Sequence, residues 1–138
     1  MKFSTPDEAE SAFYQALETS DLKLMMSVWA KSEDIVCIHP MAARLSGPLA
    51  VESAWRHMFQ HPLELKCKVT DQETISGEGY TINVVHENFE IDDHEEAPQP
   101  LIATNIYRQE ANSWHMVLHH ASPIANTTPD EDSSSQLH

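Results

Sequence analysis

The sequence predicts an α+β domain in which three helices precede a long, mostly antiparallel sheet. Three observations carry this reading. Apolar residues recur at helical spacing as far as Phe59, the period drops from about 3.6 to 2 after His61-Pro62, and 138 residues make one domain's worth of chain.

Thr5, Pro6 and Glu8 form a capping-box start with proline at the first helical position, and Ala9, Ala12, Phe13, Ala16 and Leu17 follow at helical spacing. The first helix is therefore expected over about Pro6 to Thr19. Asp21 is the N-cap of a second, whose stripe is Leu22, Met25, Met26 and Trp29. Ile35-Val36-Cys37-Ile38 is short and β-branched and meets Pro40, which predicts a buried strand ending at His39. A loop with Gly47-Pro48 leads into a third helix with Val51, Ala54, Trp55, Met58 and Phe59 on one stripe.

Leu63, Leu65, Cys67 and Val69 alternate with polar residues, as in a half-buried strand. Residues 80 to 91 alternate too, but the apolar parity slips between Val84 and Val85, which predicts a bulge near Val84 to Glu87. Leu101 to Arg108 and Trp114 to Ala121, joined by Glu110-Ala111-Asn112-Ser113, predict a hairpin. The insert Asp92-Asp93-His94-Glu95-Glu96 reads as a solvated connection. The domain is placed at residues 1–123, with an acidic, serine-rich, disordered tail at 124–138.

Eight Lys+Arg against 22 Asp+Glu give a formal charge of −14, so a phosphate backbone or an anionic membrane surface would be repelled. Neither nucleic acid nor membrane is expected as a partner. Cys37 and Cys67 lie in apolar-patterned segments and are read as buried free thiols, and no apolar signal-peptide core follows Met1; a cytoplasmic protein is expected. No cofactor is called for. The three glycines, Gly47, Gly77 and Gly79, form no phosphate cradle, no cysteine or serine sits in a nucleophile elbow, and no metal-ligand spacing is present apart from the loop set His86, Asp92, Asp93, His94, Glu95 and Glu96, which reads as solvated acid.

Ser20-Asp21-Leu22, Val28-Trp29-Ala30, Asp34 through Pro40, Ser46-Gly47-Pro48 through Trp55, and Trp114 with His119-His120-Ala121-Ser122 together resemble the nuclear transport factor 2-like, or SnoaL-like, superfamily. The resemblance implies a cystatin-like α+β roll: three helices closing one end of a strongly curved sheet to form a cone with an internal pocket, in a homodimer joined through the sheet. Its ketosteroid isomerases use a helix-one tyrosine, an aspartate base before a proline and a protonated aspartate on a later strand. Motif matching puts these places on Phe13, His39 and Asn105, all three departures, so the steroid reaction is disfavoured. Tyr14, about 100° round the helix from Phe13, is expected to point away.

Three functions stay open, one of them a metal-dependent enzyme whose ligands, His39 with His119 or His120, would be assembled across the fold and so leave no spacing to detect. In another, the pocket binds an uncharged, partly apolar small molecule, with His39 as base, Asn105 as hydrogen-bond donor, and Phe13, Trp29, Trp55, Met58, Phe59 and either His119 or His120 as its lining. In the third, Trp29, Trp55 and Phe59 plug the cavity and the chain is a non-catalytic dimerisation or protein-interaction module. His119 and His120 are adjacent on a strand and so face opposite ways; parity groups His120 with Trp114, Met116 and Leu118, and His119 with His115 and Val117.

Overall fold

The computed structural model describes residues 1–62, 64–91 and 98–125. Helix α1 spans Pro6–Thr19, α2 Leu22–Val28 and α3 Pro48–Phe59; the strands are β1 Val36–Ile38, β2 Leu45–Ser46, β3 Leu65–Gly77, β4 Tyr80–Ile91, β5 Leu101–Glu110 and β6 Ser113–Pro123. The helix starts are as the caps dictate. Thr5 Oγ1 accepts from the Glu8 N–H at 3.1 Å and Asp21 Oδ1 from the Leu24 N–H at 2.9 Å. Gly47 caps α3 at φ 87°, where a Cβ would stand 3.2 Å from the Glu33 carboxylate, so glycine is needed there.

The six strands form one sheet in the order β2-β1-β6-β5-β4-β3, with β1 parallel to β6 and every other pair antiparallel. The sheet curls over the three helices without closing, the α+β roll that the resemblance implied. Phe13 of α1, Met25 and Val28 of α2, Trp29, Val51 and Trp55 of α3, and Met116 of β6 are all buried in one core. Phe13 is its keystone: its ring meets Trp55 edge-on at 5.8 Å and lies 4.8 Å from the His119 ring.

Several expectations are corrected. The short strand β2 falls in what was read as loop, and β3 runs on to Gly77. The bulge is on β3, not on β4: Thr70 pairs with His86 and Glu73 with Val84, so Asp71 and Gln72 stand against Val85 alone. β4 pairs with β5 without a break from Tyr80 to Glu87, and its buried residues, Thr81, Asn83, Val85 and Glu87, keep one parity. The apparent slip arose because three inward positions, Thr81, Asn83 and Glu87, are polar. A second bulge lies on β6, where Ile106 faces Leu118 but Tyr107 faces Met116, leaving Val117 extra. Met116 and His119 therefore both point inward, and the parity grouping of the two histidines fails at Val117. Leu63, the acidic insert at 92–97 and the tail from 126 onward lie outside the described residues.

The alanine variant of Phe13 should lose about 3–5 kcal/mol of stability in urea unfolding. A loss below about 1 kcal/mol would show that the ring does not bridge α1, α3 and β6 as described.

Candidate functional site

The concave side of the sheet holds a polar centre that the apolar patterning did not announce. Glu10 projects from α1, and its carboxylate is met by three neutral donors. Oε1 accepts from Asn105 Nδ2 at 3.1 Å and Tyr107 Oη at 2.9 Å, while Oε2 accepts from Asn83 Nδ2 at 3.1 Å. One turn on, Tyr14 Oη donates to Glu87 Oε2 at 2.6 Å and accepts from Asn105 Nδ2 at 2.9 Å. Both amide hydrogens of Asn105 are thus in use, so its Oδ1 is the acceptor for His119 Nδ1–H at 2.6 Å. At the far end Thr74 Oγ1 donates to Asn83 Oδ1 at 2.8 Å. Four strands and a helix meet in one hydrogen-bonded unit.

Burial sets the electrostatics. It pushes the Glu87 carboxyl up to about 7, the Glu10 charge adding to the rise and the Tyr14 hydrogen bond opposing it. His119 is driven down to about 3 by burial, with smaller contributions from His39 and His120, and is a neutral imidazole. Burial likewise lowers His39. Its ring packs edge-on to Trp55 at 4.7 Å, and its Nε2 lies 3.7 Å from the Cys37 sulfur, a thiol that burial pushes up to about 12.

The expected site residues are brought together only in part. Phe13, Trp29, Trp55 and His119 are buried, with Phe59 half-buried against Trp55 at 5.6 Å. Phe13 and Trp29 are 0 % exposed, which leaves no room for even a water beside them, so these rings fill the space they were expected to line. Met58 is 42 % exposed because the buried face of α3 follows Val51, Trp55 and Phe59, and His120 faces outward. Asn105 is central, but its donors are committed to Glu10 and Tyr14. Tyr14 points inward, correcting the expectation that it would point away: α1 is sunk deeply enough to bury both sides of its inner face. The indole N–H groups of Trp29 and Trp55 are buried without a hydrogen-bond partner among the described residues. Among the described residues no three His, Cys, Asp or Glu side chains are arranged to hold a metal ion, and no helix is long and apolar enough to cross a membrane.

Glu10, Tyr14, Asn83, Glu87 and Tyr107 were missed. A signal existed: the inward positions of β4 and β5 read Thr-x-Asn-x-Val-x-Glu and Ala-x-Asn-x-Tyr, amides at matching depth on adjacent strands.

A curled α+β sheet with three helices on its concave side defines the NTF2-like class of cystatin-like folds. The SnoaL-like domain family matches residues 7–126, and the chain belongs to that family. A protein from Thiobacillus denitrificans, provisionally described as a calcium/calmodulin-dependent protein kinase type II association domain, is 42% identical with a TM-score of 0.82, over 91% of this chain and 99% of that one. A provisionally named NTF2-like dehydratase from Streptomyces avermitilis is 26% identical with a TM-score of 0.76, over 88% of this chain and 100% of that one. An NTF2-like protein of unknown function from Pseudomonas putida, 16% identical with a TM-score of 0.77 over 89% of this chain and 93% of that one, shares the fold. No curated protein sequence matches the chain.

The polar centre makes stability depend on pH in two opposing ways. Folded Glu87 keeps its proton to about pH 7 whereas the unfolded carboxyl releases it near 4.5, so this group's contribution falls as the pH rises through that window. Folded His119 stays neutral to about pH 3 while the unfolded ring protonates near 6.5, so its contribution falls as the pH drops below 6.5, and His39 acts in the same direction. Glu87→Gln should therefore steepen the rise of stability with pH between 4.5 and 6.5 by up to about 1.4 kcal/mol per pH unit. Urea unfolding of both proteins across that range measures it, and parallel curves would contradict the raised carboxyl.

Proposed function

We propose that this chain is an association module: two copies join face to face through the outer surfaces of their sheets. The observation that carries the reading is a row of apolar side chains crossing five strands in register. Ile75 of β3 pairs with Ile82 of β4, Ile82 with Ile106 of β5, Ile106 with Leu118 of β6, and Leu118 with Val36 of β1. All five face away from the helices. Ile75 is 60 % exposed and the other four are half-buried.

A contiguous apolar band on a monomer marks an interaction surface. Its occupant is a second copy, because in a chain of net charge −14 this uncharged row lets two like-charged molecules approach, and a twofold interface needs only one such self-complementary patch. The likeness to the Thiobacillus denitrificans chain described as an association domain supports the same reading. The filled aromatic interior fits a module whose cavity is plugged.

A second reading, small-molecule chemistry with His39 as base, is favoured by one observation. The His39 ring is half-exposed and its proton affinity is lowered, so it is a neutral acceptor near pH 7. It lacks a donor partner in Asn105, whose hydrogens are in use.

Light scattering on a size-exclusion column should give twice the 15.6 kDa of one chain, and Ile106→Glu should give the monomer mass with an unchanged far-ultraviolet circular dichroism spectrum. A monomeric parent protein, or a dimer indifferent to Ile106→Glu, would refute the sheet-face association. His39→Ala should leave the dimer intact in the same measurement.

A further inference from the structure

Trp55 is 1 % exposed, and its indole N–H is a buried donor with no acceptor among the described residues. Four rings surround it. The His39 ring lies 4.7 Å away and edge-on, Phe59 at 5.6 Å, Phe13 at 5.8 Å and His119 at 6.3 Å, centroid to centroid. A buried donor left unmatched is costly and uncommon, and asks for a partner. The two phenylalanines have no oxygen or nitrogen to offer. His39 turns its Nε2 to the Cys37 sulfur at 3.7 Å.

His119 is the complementary half. It gives its Nδ1–H to Asn105 Oδ1 on the neighbouring strand, and burial keeps the ring neutral, so its other nitrogen is an acceptor. That Nε2 looks away from β5, and it has no hydrogen-bond partner among the described residues. A donor without an acceptor and an acceptor without a donor thus belong to rings 6.3 Å apart. One oxygen serves both, because a hydroxyl accepts one hydrogen bond while donating another, each about 2.7–3.0 Å long.

The surroundings say what carries that oxygen. Burial favours the neutral form of His39 as well, and Phe13 and Phe59 present only carbon, so an ion brought here would leave water uncompensated. Of the four surrounding rings, His39 and Phe59 are the half-exposed ones, which puts the way in between them. Phe59 is the last residue of α3, where a helix end frays, and its ring turns aside to admit a ligand to the indole.

We propose that this place takes a small, uncharged aromatic hydroxyl compound, its oxygen accepting from Trp55 Nε1–H and donating to His119 Nε2, its ring between His39 and Phe59. The inference rests on the second reading above, that the His39 end of the sheet meets a small molecule, and it names the class of that molecule. The recognising pair, one residue from α3 and one from β6, is distinct from the Phe13, His39 and Asn105 places of the ketosteroid isomerase resemblance. It also lies on the inner face of the sheet, opposite Ile106 and Leu118.

The probe is phenol, compared with anisole, which accepts a hydrogen bond but cannot donate one, and toluene, which does neither. Each is titrated into the full chain labelled with nitrogen-15, at pH 7, and followed by nuclear magnetic resonance. The chain has three tryptophans, and Trp55→Phe identifies the Trp55 indole signal. Phenol is expected to shift that signal saturably, leaving those of Trp29 and Trp114 unmoved. It should bind about tenfold or more tightly than anisole or toluene, as a site built around a hydroxyl discriminates. Trp55→Phe, which keeps an aromatic ring in place, should weaken phenol binding about tenfold, read from the His119 ring signals, and remove its advantage over anisole. If that variant does not fold, the indole shift and the order of the three probes in the unsubstituted chain decide alone. An unmoved Trp55 signal, as a bound water in place of a ligand would give, equal binding of toluene, or phenol's advantage intact in Trp55→Phe would overturn the proposal. Only binding is read, so the result stands apart from whether His39 acts as a base, and the dimer mass on the same samples keeps it apart from the association reading.

Discussion

The rest of the structure hangs on the buried carboxylate of Glu10. A charge taken out of water must be surrounded by donors or the helix that bears it will not stay, and its donors come from β4 through Asn83 and from β5 through Asn105 and Tyr107. Those three bonds fix both the height and the rotation of α1 on the sheet. With α1 so placed, Tyr14 falls on Glu87 and Phe13, about 100° round, falls on Trp55 and His119. One helix thus carries a polar face into the sheet and an apolar face into the other helices, with both faces buried. A network of this kind holds its geometry because any member left unpartnered inside is costly.

Much of the fold was legible in the sequence, and the reason is local chemistry. Thr5, Pro6, Asp21, Gly47 and Pro48 act on the backbone within a few residues of themselves, so helix starts can be read directly. The change of period after Pro62 is equally local. The candidate site was legible only in outline, because reading depth from polarity assumes that polar residues face water. At Asn83, Glu87 and Asn105 that assumption fails, and it turned a regular β4 into an apparently bulged one. The true bulges, at Asp71–Gln72 on β3 and Val117 on β6, are set by pairing with strands distant in the chain and leave no local mark. That is why the inward histidine could not be chosen between His119 and His120. The family resemblance placed His39 and Asn105 near the centre but could not show that Asn105 was already occupied. Membership of the SnoaL-like family therefore settles the architecture, while activity has to be argued from the site.

The polar centre and the apolar outer face are two sides of one constraint. A sheet covered by helices on one side ordinarily turns its apolar residues toward them. In β4 and β5 the order is reversed at mid-sheet: Asn83, Glu87 and Asn105 face the helices, and Ile82, Val84, Ile102 and Ile106 face out. Strand alternation makes this unavoidable, since each residue given to the inner network moves its neighbours to the other face. The inward network draws its stability from hydrogen bonds between buried groups. The outward band, left half-exposed by a single copy, draws none until something covers it. In the association reading a second copy does so, and the apolar burial that a lone domain would find beneath its sheet is found instead between two sheets.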